Sequence, residues 1–227
     1  MGIIRMGIPE EVTLFLKENF KSDVFIETGT YYGNTTMWAS KHFEKVHTIE
    51  FSEQIYQVTS KKYAHVDNIN FHFGDTRILL AEILKGLENS SKVILWLDAH
   101  WSSGETYGEN DNCPLIKELE IIIQSKRNAC ILIDDARLFL APPPLPNNYH
   151  QYPGIQDIVK LYGDDTFITV YEDVIIIIPS SLKSSFQEYL QSRTTADWQK
   201  FSESQKTTSN GKVKAILGKV ARKLTGK

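Results

Sequence analysis

The stretch from Val24 to Thr36, VFIETGTYYGNTT, constrains the fold more than any other part of the chain. Val24-Phe25-Ile26 is a short apolar run ending in Glu27. Gly29 and Gly33 follow, then a helix-compatible segment from about Asn34 to His42. So short an apolar run, bounded by glycine, reads as a buried strand rather than a helix. Strand, glycine turn and helix form the first unit of a nucleotide-binding α/β sheet. Glycine lets the backbone approach a ligand closely and take positive φ. The helix start offers unpaired N–H groups and a partial positive charge. Two glycines alone also fit an ordinary strand-to-helix turn.

The next strand narrows the choice. Val46-His47-Thr48-Ile49 ends in Glu50, 23 residues after Glu27. In such folds an acid about 20 residues on, at the tip of the second strand, holds the ribose hydroxyls. The dinucleotide fingerprint requires G-x-G-x-x-G, whereas here the order is Glu-x-Gly-x-x-x-Gly. This resembles the first motif of the class I S-adenosylmethionine (SAM)-dependent methyltransferases. The resemblance implies SAM as cofactor, with its amino-acid end against the glycine turn and its ribose on Glu50. The cofactor set it implies is Glu27, Gly29, Thr30, Tyr32, Gly33, Thr35, Glu50, Asp75, Thr76 and Asp98. Asp75 lies in Phe-Gly-Asp-Thr-Arg, which resembles the family's motif for the adenine amino group.

Taken in order, the chain alternates. Helices are expected over Pro9 to Phe20, Ser52 to Tyr63, Thr76 to Leu87, Pro114 to Ile123 and Ile155 to Tyr162. They separate five strands, the last three of them Ile69–Phe73, 92–97 and Ala129–Ile133. Thr166 to Tyr171 and Val174 to Pro179 then form a hairpin across Glu172-Asp173. A two-residue connection cannot make a parallel crossover. The expected architecture is therefore α/β, a Rossmann-like, doubly wound, seven-stranded sheet. Six strands run parallel and one antiparallel strand comes from the terminal hairpin. That hairpin separates the methyltransferase sheet from the all-parallel nicotinamide-binding one.

Each of the first five strands ends in an acid: Glu27, Glu50, Asp75, Asp98, then Asp134 and Asp135. Ligands of open parallel sheets sit beyond those carboxyl ends. A single turn-forming Asp is more often structural. Asp98, Asp134 and Asp135 converging would repel unless a cation joined them, and oxygen ligands suit Mg²⁺ or Ca²⁺. LDAHW and IDDAR are similar to segments of the metal-dependent sugar O-methyltransferases of the macrolide and aminocoumarin type. That resemblance implies Mg²⁺ or another divalent ion on Asp98, Asp134 and Asp135, and Asp98 as a catalytic residue. Where that group has a second Asp acting as base, this chain has His100. A neutral imidazole, with a pKa near 6.5, could remove a hydroxyl proton. The alternatives for His100 are a further metal ligand or a substrate contact without proton transfer.

Composition fits one α/β domain with a sizeable core: 227 residues, 41% hydrophobic and 23% charged. Net charge is -3, giving no reason to expect a nucleic-acid partner. Cys113 and Cys130 are too few for a disulfide framework, so a reducing cytoplasm is expected. Loops 101–113 and 141–154 should wall the acceptor pocket. There Trp101, Tyr107, Tyr149 and Tyr152 either stack on a ring or pin the loops. Residues 1–206 read as the methyltransferase domain and 207–227 as a basic amphipathic tail, after a break at Thr207–Gly211. Six basic residues and no acid fall between Lys212 and Lys227, which leaves -9 on the rest. Such a helix either docks on the body or lies on an anionic membrane, and membrane contact would suit a lipid-linked sugar. A homo-oligomer is compatible with all of this. The function expected is methyl transfer to a hydroxyl of a carbohydrate or related small molecule. The alternatives are an inactive binding protein of the same fold, or an NAD-type oxidoreductase.

Overall fold

A computed structural model describes residues 7–99 and 113–225, with side chains through residue 204. The chain divides into two compact units, Met1–Leu182 and Lys183–Lys227. In the first, α1 (Glu10–Phe20) leads to β1 (Val24–Thr28), α2 (Asn34–Ser40), β2 (Lys45–Glu50), α3 (Glu53–Lys62) and β3 (Ile69–Phe73). Next come α4 (Thr76–Gly86), β4 (Val93–Leu97), α5 (Leu115–Gln124) and β5 (Ala129–Ile133). The unit ends with α6 (Arg137–Leu140), α7 (Ile155–Lys160), β6 (Thr166–Tyr171) and β7 (Val174–Pro179), with short 3-10 turns at Tyr149–Gln151 and Ser180–Leu182.

The sheet order is β3-β2-β1-β4-β5-β7-β6. β7 runs antiparallel to both β5 and β6, so six strands share one direction and β7 opposes them. This is the expected arrangement. The order reverses between β1 and β4, the switch point where ligands bind in open sheets.

Alternation along each strand sorts side chains to two faces. Val24, Ile26, Ile49, Leu95, Ile131, Ile133, Ile175 and Ile177 form one core with Leu80 and Leu84 of α4, Leu119 of α5 and Ile158 of α7. Phe25 takes the opposite face, its ring 5.0 Å from Phe43 and 6.3 Å from Trp38. Glu27 has the same parity as Phe25, so this face carries the acid into a buried layer. Side chains cap two helix starts: Ser52 accepts from the Ile55 amide and Asp75 from the Arg77 amide.

Two features were not expected. Arg137–Leu140 forms a short helix, α6, at the mouth of the Pro-rich loop. In the second unit, α8 (Lys183–Thr225) is one helix through 207–211, where the sequence suggests a break. Asn210 and Gly211 disfavour helix by about 1 kcal/mol each at most, which long helical flanks can offset. Among the described residues, no helix is long and apolar enough to cross a membrane.

Candidate active site

Glu27 sits at the switch point, 2% exposed, and is the most confined acid of the site. β1 and β2 pair in parallel with Glu27 opposite Thr48. Thr48 Oγ1 donates to Glu27 Oε2 at 2.7 Å, and Thr36 Oγ1 of α2 donates to the same oxygen. Thr30 Oγ1 lies 2.6 Å from Thr48 Oγ1 and extends the chain of hydroxyls into the turn. Burial pushes the Glu27 carboxyl up to about 8. The two threonine donors oppose that rise, while the charges of Asp98 and Glu50 add to it. Three strand-end acids therefore act on one another across the switch point.

The glycine turn is shaped by contact as well as by φ. Gly29 has φ +89°, donates to the Ile49 carbonyl at 2.9 Å and abuts the Asp98 backbone. Gly33 caps α2 at φ +75°, and a Cβ there would lie 2.8 Å from the Tyr63 ring and 2.9 Å from the Thr59 methyl. Such close approach is a role of glycine in nucleotide-binding turns. Tyr31 and Tyr32 leave the turn largely exposed, their rings 4.1 Å apart. Thr35 is half-buried in the first turn of α2.

Glu50, 6% exposed, is held by main chain. Its Oε2 accepts from the Tyr31 amide at 2.9 Å and its Oε1 from the Ser52 amide at 2.8 Å. Burial raises its pKa, and the amides of Ser52, Tyr31, Phe51 and Thr30 pull it back. The glycine turn and the second-strand acid thus form one unit. Asp75 is more committed than its motif suggests. It caps α4 through the Arg77 amide at 2.9 Å and pairs with the Arg77 guanidinium at 2.7 Å. Thr76 beside it is buried.

On the other side of the switch point, the Asp98 amide donates to the Thr28 carbonyl at 3.0 Å. Asp134 is 6% exposed and accepts from the Asp135 amide at 2.7 Å. Asp135 has φ +54°, and its Oδ1 lies 2.7 Å from Arg137 Nη1. Arg137 also binds Asp173 in the β6–β7 turn, through its guanidinium and through its amide at 2.9 Å. Arg137 therefore takes part in two salt bridges. Among the described residues, no three His, Cys, Asp or Glu side chains stand as a metal-holding group. Asp135, one of the three acids on which the resemblance implies a divalent ion, has one carboxylate oxygen against a guanidinium. His100, Trp101 and Tyr107 lie outside the described residues. Tyr152 is 8% exposed, its hydroxyl 3.1 Å from Asn147 Oδ1, so it pins the loop. Tyr149 is exposed.

Thr36, Thr48 and Asp173 were missed by sequence reasoning. Thr48 was findable: it is polar in a buried strand, with the face parity of Glu27 once β1 and β2 are paired. Asp173 carried no local signal beyond its place in the turn.

No protein-family model matches the chain, and no curated protein matches it. Solved structures do. An O-methyltransferase from Bacillus cereus in complex with S-adenosylhomocysteine (SAH) is 17% identical, with 75% of this chain and 80% of that one covered, at a TM-score of 0.50. An SAH-bound methyltransferase from Podospora anserina is 17% identical over 77% and 80%, at 0.51. A candidate O-methyltransferase from Klebsiella pneumoniae is 16% identical over 77% and 82%, at 0.51. The chain therefore has the Rossmann-like fold of the class I methyltransferases.

Proposed function

We propose that the protein is a SAM-dependent O-methyltransferase acting on a hydroxyl of a carbohydrate or related small molecule. The observation that carries this reading is the coupling of the Gly29–Gly33 turn to Glu50 through the Tyr31 amide. It places a buried acid beside a turn into which no Cβ fits. SAM, when bound, supplies an electrophilic methyl group on a sulfonium. The chain's own residues do the rest. Glu50 would hold the ribose hydroxyls, its carboxylate fixed by the main chain. Gly29 and Gly33 would give room for the amino-acid end, with Glu27, Thr30, Tyr32 and Thr35 around it. Asp75 and Thr76 border the adenine end. Asp98 lies between the cofactor turn and the β5 acids, where an acceptor hydroxyl would approach. His100, if it reaches that hydroxyl, would take its proton.

Calorimetry with SAM, SAH and NAD tests the reading. Binding of SAM and SAH without NAD is expected. Absence of SAM binding at millimolar concentration would remove it. A lipid-linked acceptor would also bring the basic 212–227 segment to an anionic surface. Cosedimentation with phosphatidylserine vesicles tests that part, and no uptake of the full chain into the pellet rejects it.

A further inference from the structure

The two carboxyl oxygens of Glu27 have unlike surroundings. Thr48 Oγ1 donates to Oε2 at 2.7 Å, and Thr36 Oγ1 donates to the same oxygen. Among the described residues, no hydrogen bond reaches Oε1. Thr30, Thr36 and Thr48 are all buried. A hydroxyl has one proton to give. Thr48 gives its proton to Glu27, so its 2.6 Å contact with Thr30 runs from Thr30 to Thr48. The chain is therefore directed, Thr30 to Thr48 to Glu27. With two donors already against Oε2, a proton held by Glu27 belongs on Oε1.

The charges that act on this carboxyl are Asp98 beyond β4 and Glu50 at the end of β2, both acids. α2, which supplies Thr36, contains no charged residue. A buried carboxyl without a cation keeps its proton toward neutral pH. Burial and the two acids push it up to about 8, against the pull of the two threonine donors.

We propose that Thr48 is a positioning residue for the cofactor, locking Oε2 of Glu27 so that Oε1 alone meets the ammonium group of SAM and releases its proton as the two pair. The proposal rests on the SAM-dependent reading of the site. The balance is simple: a carboxylic acid and an ammonium become a carboxylate–ammonium pair, and one proton passes to solvent. Affinity then rises with pH by up to about tenfold per unit, until Glu27 is already ionised in the free protein. Thr48 sets where that rise ends, because it both donates to Glu27 and fixes Thr30 behind it.

The test is calorimetry of SAH on the full chain, in phosphate and in Tris, whose ionisation heats differ. At about pH 6.5 the difference should read about one proton released per SAH bound. Methylthioadenosine, which lacks the amino-acid end, should release none and bind equally across the pH range. Thr48→Val, of like shape but without the hydroxyl, should weaken SAH about tenfold at pH 7. That loss should narrow as pH rises, and Thr48→Ser should restore the original profile. A loss equal at every pH would make Thr48 only a packing residue and overturn the proposal. SAH binding to the unmodified protein without proton release overturns it too, whether or not Thr48→Val folds. So does equal release with methylthioadenosine. Either result leaves the SAM reading standing, whereas failure of both ligands to bind removes that reading and this proposal with it.

Discussion

A Cβ atom placed on Gly29 would stand 2.5 Å from the carbonyl oxygen of Asp98. The turn after β1 is thus pressed against the backbone that leaves β4, and backbone cannot swing aside as a side chain can. Gly29→Ala adds the strain of φ +89° to that clash. Unfavourable φ alone costs about 1–3 kcal/mol, so the expected loss is about 2 kcal/mol or more, with loss of SAM binding. Gly86→Ala is the control, because a Cβ there meets nothing within 4 Å in α4. It should leave stability unchanged or raise it by about 0.5–1 kcal/mol. Urea denaturation of the two variants checks this, and equal losses would reject the close-contact role.

The Glu27 carboxyl gives a pH signature. Its folded pKa, about 8, lies above the ordinary carboxylate value of 4.5. Between those values the native state keeps a proton that the unfolded chain releases. Stability is therefore fully present below about pH 4.5 and declines as pH rises through 8. The slope is up to about 1.4 kcal/mol per pH unit. Glu27→Gln keeps an acceptor for Thr36 and Thr48 and never ionises. Its melting temperature should match the wild type near pH 5 and exceed it increasingly toward pH 8. A difference that does not vary with pH would show that Glu27 titrates normally.

Much of this arrangement is legible in the sequence because parallel strands announce their ends. Val24-Phe25-Ile26 and Val93–Leu97 are apolar on both faces, as strands covered by two helical layers must be. The acid after each run then marks the ligand-binding edge. The Glu172-Asp173 connection was legible because two residues permit only a hairpin. Its backbone, φ +49° and +67°, is the primed turn such hairpins favour. What stayed hidden depends on long-range contact. Nothing near Asp135 indicates that Arg137 and Asp173, 36 residues apart, will close around the β5 tip and occupy an expected metal ligand. Nothing near Glu27 indicates that hydroxyls from α2 and β2 will meet on one of its oxygens.

On the proposed reading, Arg137 would be a positioning residue for the acceptor side. Arg137→Met would leave Asp173, whose side chain is 6% exposed, without its cation. A buried partner left unpaired costs about 1–3 kcal/mol. The Asp135 pair adds less than about 1 kcal/mol, because the arginine side chain is 38% exposed. Asp173→Asn retains an acceptor for the Arg137 amide and tolerates positive φ, so it should lose less. SAM affinity should survive both changes, since the clamp lies across β5 and β7. Urea denaturation beside SAM calorimetry checks this. A fall in SAM affinity matching the fall in stability would mean that the clamp supports the whole site, not its acceptor half.

Chelation separates the two ways in which the strand-end acids can work. If Asp98, Asp134 and Asp135 gathered around an ion, their mutual repulsion would need its charge to offset it. Here Asp134 accepts from the Asp135 amide and Asp135 pairs with Arg137 at 2.7 Å. Part of that repulsion is already met by a guanidinium and a main-chain donor. Once an acceptor has been found, EDTA should leave turnover unchanged, and added Mg²⁺ should not raise it. SAM binding should be equally indifferent, because Glu50 is set by amides alone. The decisive contrary result is activity lost in EDTA and restored by Mg²⁺. It would mean that ligands between 100 and 112 complete an ion site and draw Asp135 away from Arg137. Arg137→Met should then tighten Mg²⁺ binding, a change that isothermal titration of the ion reads directly.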